Sequence, residues 1–249
     1  MTKNNLHEKE ALQPAIEHLY TTFAAYPLRR AIPACPGCVS PAEQERLHLV
    51  ALRDLKPDDL HAYTVNALWT WGDLEDFKHF LPRYLELLSS HRYPDWYELD
   101  LLSVKMKYAR WQTWPAEERK ALESYFIRVW RAVLSSSYPS THPNFGYARL
   151  FLRFIAQCTA EQEAFLDLWR QTQSLSALRH LAEFVRQEAF FIAAHRAVWW
   201  YEGQWDHISA WLLNARTRQI LEEAFYRYYA EPFAPEFMQA HDQISQLIL

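Results

Sequence analysis

Residues 57–90, PDDLHAYTVNALWTWGDLEDFKHFLPRYLELLSS, carry two apolar stripes in one register. Leu60, Tyr63, Thr64, Ala67, Leu68 and Trp71 fall at i, i+3, i+4, i+7, i+8 and i+11, and Phe77, Phe80, Leu81, Tyr84, Leu85 and Leu88 repeat the pattern. That spacing gathers six side chains on one face of a helix. Gly72 between the stripes can take the left-handed conformation that ends a helix, and Asp73 can cap the next. The stretch therefore predicts a tight αα-hairpin with both faces turned to one core. Pro82 falls off the second stripe, which predicts a bend convex to solvent.

The same signals recur outward. Residues 6–25 read as a helix ended by Pro27. Ser40, Pro41 and Glu43 form a capping box at the first turn of a helix expected to reach Arg53. Helices are expected after Pro94 and Pro115, over 147–158, from Gln162, over 174–195, from a cap at Asp206, and after Pro235. Residues 197–205, AVWWYEGQW in sequence, read as an aromatic hinge. The expected architecture is all-α, a helical bundle or irregular α-solenoid of about ten to twelve helices built from αα-hairpins. Residues 1–249 read as a single domain, with subdomains 1–138 and 144–249 joined by the polar loop near Pro139–Pro143 as the alternative.

Composition narrows the function. Only 4 of 249 residues are glycine, and none pair closely enough for a Walker A loop, a dinucleotide fingerprint or a G-x-S-x-G elbow. The net charge of −4 argues against a nucleic-acid binder that works by bulk electrostatics. No secretory signal and no run of about 18 apolar residues is read, so neither export nor a membrane span is expected, and the cytoplasm is the predicted compartment. Trp, at 11 residues, points to bulky helix–helix interfaces or to an aromatic groove.

The sharpest chemical feature is Cys35-Pro36-Gly37-Cys38. Two thiolates on a tight turn can hold zinc, for which His48 is the nearest further ligand and His61 and His79 are others. The same pair reads alternatively as a redox dithiol, without the βαβ setting of a thioredoxin, or as a plain structural loop. Acid-x-x-His occurs at Glu45/His48, Asp58/His61 and Asp76/His79, a spacing that di-metal bundles use. Glu188, on a face with Phe184, needs a partner if buried.

CPGCVSPAEQERL with TWGDLEDFKHFLPRYLEL resembles a family of uncharacterised bacterial proteins that carry a Cys-x-x-Cys-Val segment followed by a TWGD-x-x-DF-x-HFLPR block. The resemblance covers roughly residues 35–90. It implies a bacterial, cytoplasmic, helical protein and assigns no activity.

These observations predict a soluble module that binds a protein or peptide, with Trp71, Asp73, Asp76, His79 and Arg83 as candidate binding residues. A zinc-binding helical protein, with Cys35, Cys38 and His48 as ligands, is the alternative. A metal-dependent or acid/base enzyme using His79 or Glu188 is the second, and the absence of catalytic motifs leans against it.

Overall fold

A computed structural model describes residues 3–90, 96–136, 147–159, 162–193 and 204–248. Among the described residues there are twelve α-helices, no strand and two isolated β-bridges, so the chain is all-α. The loop at 139–143 and the aromatic stretch up to residue 203 lie outside the described residues. The chain divides into two compact units, Met1–Ala132 and Val133–Leu249.

The first unit holds α1 (Lys3–Phe23), α2 (Pro41–Arg46), α3 (Pro57–Asn66), α4 (Leu74–Ser90), α5 (Trp96–Tyr108) and most of α6 (Ala116–Ser135). Its core includes Leu19, Phe23, Tyr63, Trp71, Phe80, Leu102, Trp111 and Trp130, all buried. Tyr63 is its aromatic centre, with its ring 4.4 Å from Phe80 and edge-on to Trp71 at 5.4 Å. The Ser40 capping box forms as the sequence predicts, with the Glu43 carboxylate returning to the Ser40 N–H at 2.7 Å. α2 is nevertheless short, and a separate 3-10 turn follows at Leu52–Asp54 instead of one helix to Arg53.

Two further expectations are corrected. The first stripe does not continue as helix to Trp71, because α3 ends at Asn66, Ala67 turns to φ −50°, ψ 138° and Leu68 is left-handed at φ 67°. Trp71 is still buried, but it arrives through an antiparallel bridge to Ala34. α4 then runs through Pro82 as one helix and buries the proline, so Pro82 faces protein and not solvent.

The second unit holds α7 (Tyr147–Cys158), α8 (Gln162–Gln171), α9 (Leu175–Ala193), α10 (Gln204–Leu212), α11 (Ala215–Arg227) and α12 (Pro235–Gln246). α9 packs on α11 and α12, and α7 on α8 and α9. Trp169 ties it together: its indole N–H donates to the Ala177 carbonyl at 3.0 Å, and its ring lies 5.3 Å from Phe184 and 5.6 Å from Trp211. Asp206 sits inside the first turn of α10 and is not its cap. Asn214 separates α10 from α11 and caps the latter, accepting from the Arg216 N–H at 2.8 Å.

Candidate functional site

The CPGC turn is pinned at both ends and open in the middle. Ile32 and Val39 are buried on either side, while residues 35–38 are all exposed. The N–H groups of Cys38 and Val39 donate to the Cys35 carbonyl at 3.0 and 3.1 Å, closing one helical turn. The turn is laid against residues 67–72. Cys35 N–H donates to the Thr70 carbonyl at 2.8 Å and Gly72 N–H to the Pro33 carbonyl at 2.7 Å. Gly72 needs its glycine: its φ is +71°, and a Cβ would stand 2.7 Å from the Asp76 carboxylate.

On this platform the Cys35 and Cys38 sulfurs are 3.1 Å apart. The Cys38 thiol beside it, then the Gly37 N–H, hold the Cys35 thiol below the ordinary cysteine range. Cys38 is pushed up, first by its hydrogen bond to Cys35 and then by desolvation, and the Thr70 hydroxyl beside it acts in the opposite sense. The two sulfurs are therefore inequivalent: Cys35 is the readier thiolate and Cys38 the retained thiol. Cys158, by contrast, is fully buried at the end of α7 and pushed well up by burial.

Lys105 of α5 supports the platform from within. Its buried ammonium donates to the Ala67 and Val65 carbonyls at 2.6 and 2.9 Å and lies 3.2 Å from the ring centroid of Trp69. Burial draws its pKa down to about 8. Trp69 is itself 53% exposed, one residue from Thr70.

Of the other predicted residues, Asp73, Asp76, His79 and Arg83 bond within the fold, while the indole N–H of the buried Trp71 meets no hydrogen-bond partner among the described residues. The Asp76 carboxylate takes a two-pronged grip from Arg29, one arm at 2.7 Å, and also caps the Asp73 N–H at 2.9 Å. Asp73 meets Arg29 at 2.9 Å and accepts from the Glu75 N–H at the start of α4, as its capping role predicts. His79 Nδ1 lies 2.8 Å from the Tyr26 carbonyl, and burial draws its pKa down. Arg83 donates to the Leu55 carbonyl and pairs with Glu86, both at 2.7 Å. Between them Lys78 forms a buried ion pair with Glu118 at 2.6 Å and donates to the Tyr26 hydroxyl at 3.0 Å. The block thus fastens the loop after α1 to α4.

His48 does not join the two cysteines. Its ring nitrogens face the Gln44 and Arg29 carbonyls at 2.9 and 3.0 Å. Among the described residues no group of three or more His, Cys, Asp or Glu side chains stands together as a metal site. Glu188, fully buried, has the partner its burial demands: Arg149 of α7 forms an ion pair with it.

Sequence reasoning missed Thr70, Asn66 and Lys105. Lys105 left a trace, since it stands three residues after Leu102 and four before Ala109, on the apolar stripe of its helix. No protein-family model matches the chain, and neither a curated protein nor a solved structure matches it. Among the described residues no helix is long and apolar enough to cross a membrane.

Proposed function

We propose that this protein carries out thiol–disulfide exchange with protein or peptide partners through Cys35 and Cys38. The reading rests on one observation: two exposed, inequivalent sulfurs held 3.1 Å apart on a turn that backbone hydrogen bonds fix in place. In the reducing cytoplasm the resting form is the dithiol. The Cys35 thiolate attacks one sulfur of a partner disulfide, the partner's S–S bond breaks, and the first partner thiolate leaves. Cys38 then gives its proton to solvent and attacks Cys35, and the second partner thiolate leaves. The partner gains two electrons and two protons, and the protein ends as the Cys35–Cys38 disulfide.

The test is equilibration of the purified chain with mixtures of oxidised and reduced glutathione, followed by acid trapping and peptide mass spectrometry. A 35–38 disulfide, lighter than the dithiol by two hydrogens and reversed by excess thiol, supports the reading. Persistence of both free thiols under oxidising mixtures overturns it.

A second reading, a zinc site, is favoured by the two exposed sulfurs carried on one tight turn, the spacing at which two thiolates can hold one ion. The remaining ligands would come from a partner. Elemental analysis of the protein beside a Cys35→Ser/Cys38→Ser variant decides it: stoichiometric zinc lost in the variant supports zinc, and no metal in either removes it.

A further inference from the structure

Residues 33–35 form the outer edge of a small backbone ladder. Ala34 faces Trp71 in an antiparallel bridge, closed by Cys35 N–H to the Thr70 carbonyl at 2.8 Å and Gly72 N–H to the Pro33 carbonyl at 2.7 Å. In such a bridge the flanking residues make the bonds, and the N–H and C=O of the two facing residues point to the outer sides. On the Trp71 side those groups are used. Its N–H donates to the Asn66 carbonyl at 3.1 Å, and its carbonyl accepts from the Leu68 N–H at 3.2 Å. On the Ala34 side they are not. Among the described residues nothing bonds the Ala34 N–H or carbonyl, and Ala34 is half-buried between the exposed Pro33 and Cys35.

A donor and an acceptor left open on one edge residue suit an extended strand, whose facing residue exchanges two hydrogen bonds with it. Register then fixes the next pair. A partner residue bonded to Ala34 in antiparallel sense places the residue before it opposite Cys35, in a pair without hydrogen bonds and with Cα atoms about 4.5 Å apart. Disulfides span Cα separations of roughly 4.4–6.8 Å, so a partner cysteine at that position is within reach of the exposed Cys35 sulfur. The reactive sulfur and the open edge call for the same occupant.

We propose that the disulfide-bearing segment of the partner adds to this edge as an antiparallel strand, and that the residue after its cysteine exchanges both backbone hydrogen bonds with Ala34. The partner segment is extended there, and its cysteine is not followed by proline, which has no N–H to give. The proposal rests on the thiol-exchange reading, and the test separates the two.

The probes are three forms of the peptide acetyl-Thr-Val-Cys-Val-Thr-amide, with the cysteine carried as its disulfide with thionitrobenzoate. The Cys35 thiolate attacks the peptide sulfur, the S–S bond breaks, and coloured thionitrobenzoate leaves. One form is unmodified. One is N-methylated on the residue after the cysteine, and one on the residue after that, whose N–H points away from Ala34. Each rate with the full-length chain is divided by the rate of the same peptide with glutathione. The methyl next to the cysteine is expected to slow release by at least about fivefold, the scale of one hydrogen bond, and the outer methyl to leave it unchanged. Equal ratios for all three peptides, or equal slowing by both methyls, overturns strand addition. No release from any peptide, or release without Cys35 in the mixed disulfide, overturns the thiol-exchange reading and the strand with it.

Discussion

Two stretches of the first unit are equally conspicuous in sequence and opposite in structure. Between Asp73 and Arg83, Asp76, Lys78, His79 and Arg83 all bond or pair inside the fold. Between Cys35 and Cys38 the backbone is fastened and the side chains are left to solvent. The contrast teaches that a dense run of polar and aromatic residues can be architecture, while a small turn fixed by its backbone keeps its chemistry available.

The contrast is broken most severely at the buried pair. Lys78→Met leaves the Glu118 carboxylate buried with the Tyr26 hydroxyl and no cation, which is expected to cost about 4 kcal/mol. Urea unfolding measures it, and a loss under about 1 kcal/mol would mean that the block does not brace the fold. Gly72→Ala comes next, combining a left-handed backbone with a clash against Asp76, at about 2 kcal/mol. Gly37→Ala is its control: a Cβ there meets nothing within 4 Å, and the expected change is below about 0.5 kcal/mol.

The thiol side sharpens the comparison at the small end. Cys35→Ser/Cys38→Ser is expected to shift stability by less than about 0.5 kcal/mol, as for a surface change, while abolishing the disulfide. A large drop in melting temperature would make the turn structural after all. Within the pair, a lowered Cys35 leaves more thiolate at neutral pH than a raised Cys38. Iodoacetamide at pH 7 is therefore expected to label Cys35 first, with the difference narrowing as pH rises through both thiols. Peptide mapping of partly labelled protein checks the order.

The helices were legible because their signals are local. The stripe of α4 and the Ser40 capping box need nothing beyond neighbours in the chain. Trp71 shows where local reading stops. Its burial is predicted correctly and its element is not, because the left-handed turn at Leu68 is tied down by Cys35 N–H to Thr70 and Gly72 N–H to Pro33, backbone bonds between segments far apart in sequence. Helical periodicity carries no trace of such bonds. Glu188 is the parallel case in the second unit: its need for a partner is readable, but the identity of Arg149 is a matter of tertiary contact. The CPGC pair was legible as chemistry, whereas its backbone tie to Thr70 lay hidden in a stretch that reads as helix.

Lys105 gives the platform a calorimetric signature. Folded, this lysine titrates near pH 8 because burial takes its ammonium out of water, and unfolded it returns to the usual lysine value near 10.5. Between those values the unfolded chain binds more protons, so stability at this site rises with pH across the window. Melting at pH 9 must then draw nearly one proton from the buffer as the platform comes apart. The heat absorbed will depend on the buffer's own ionisation enthalpy, so the platform can be followed through a proton it takes up instead of a bond it loses.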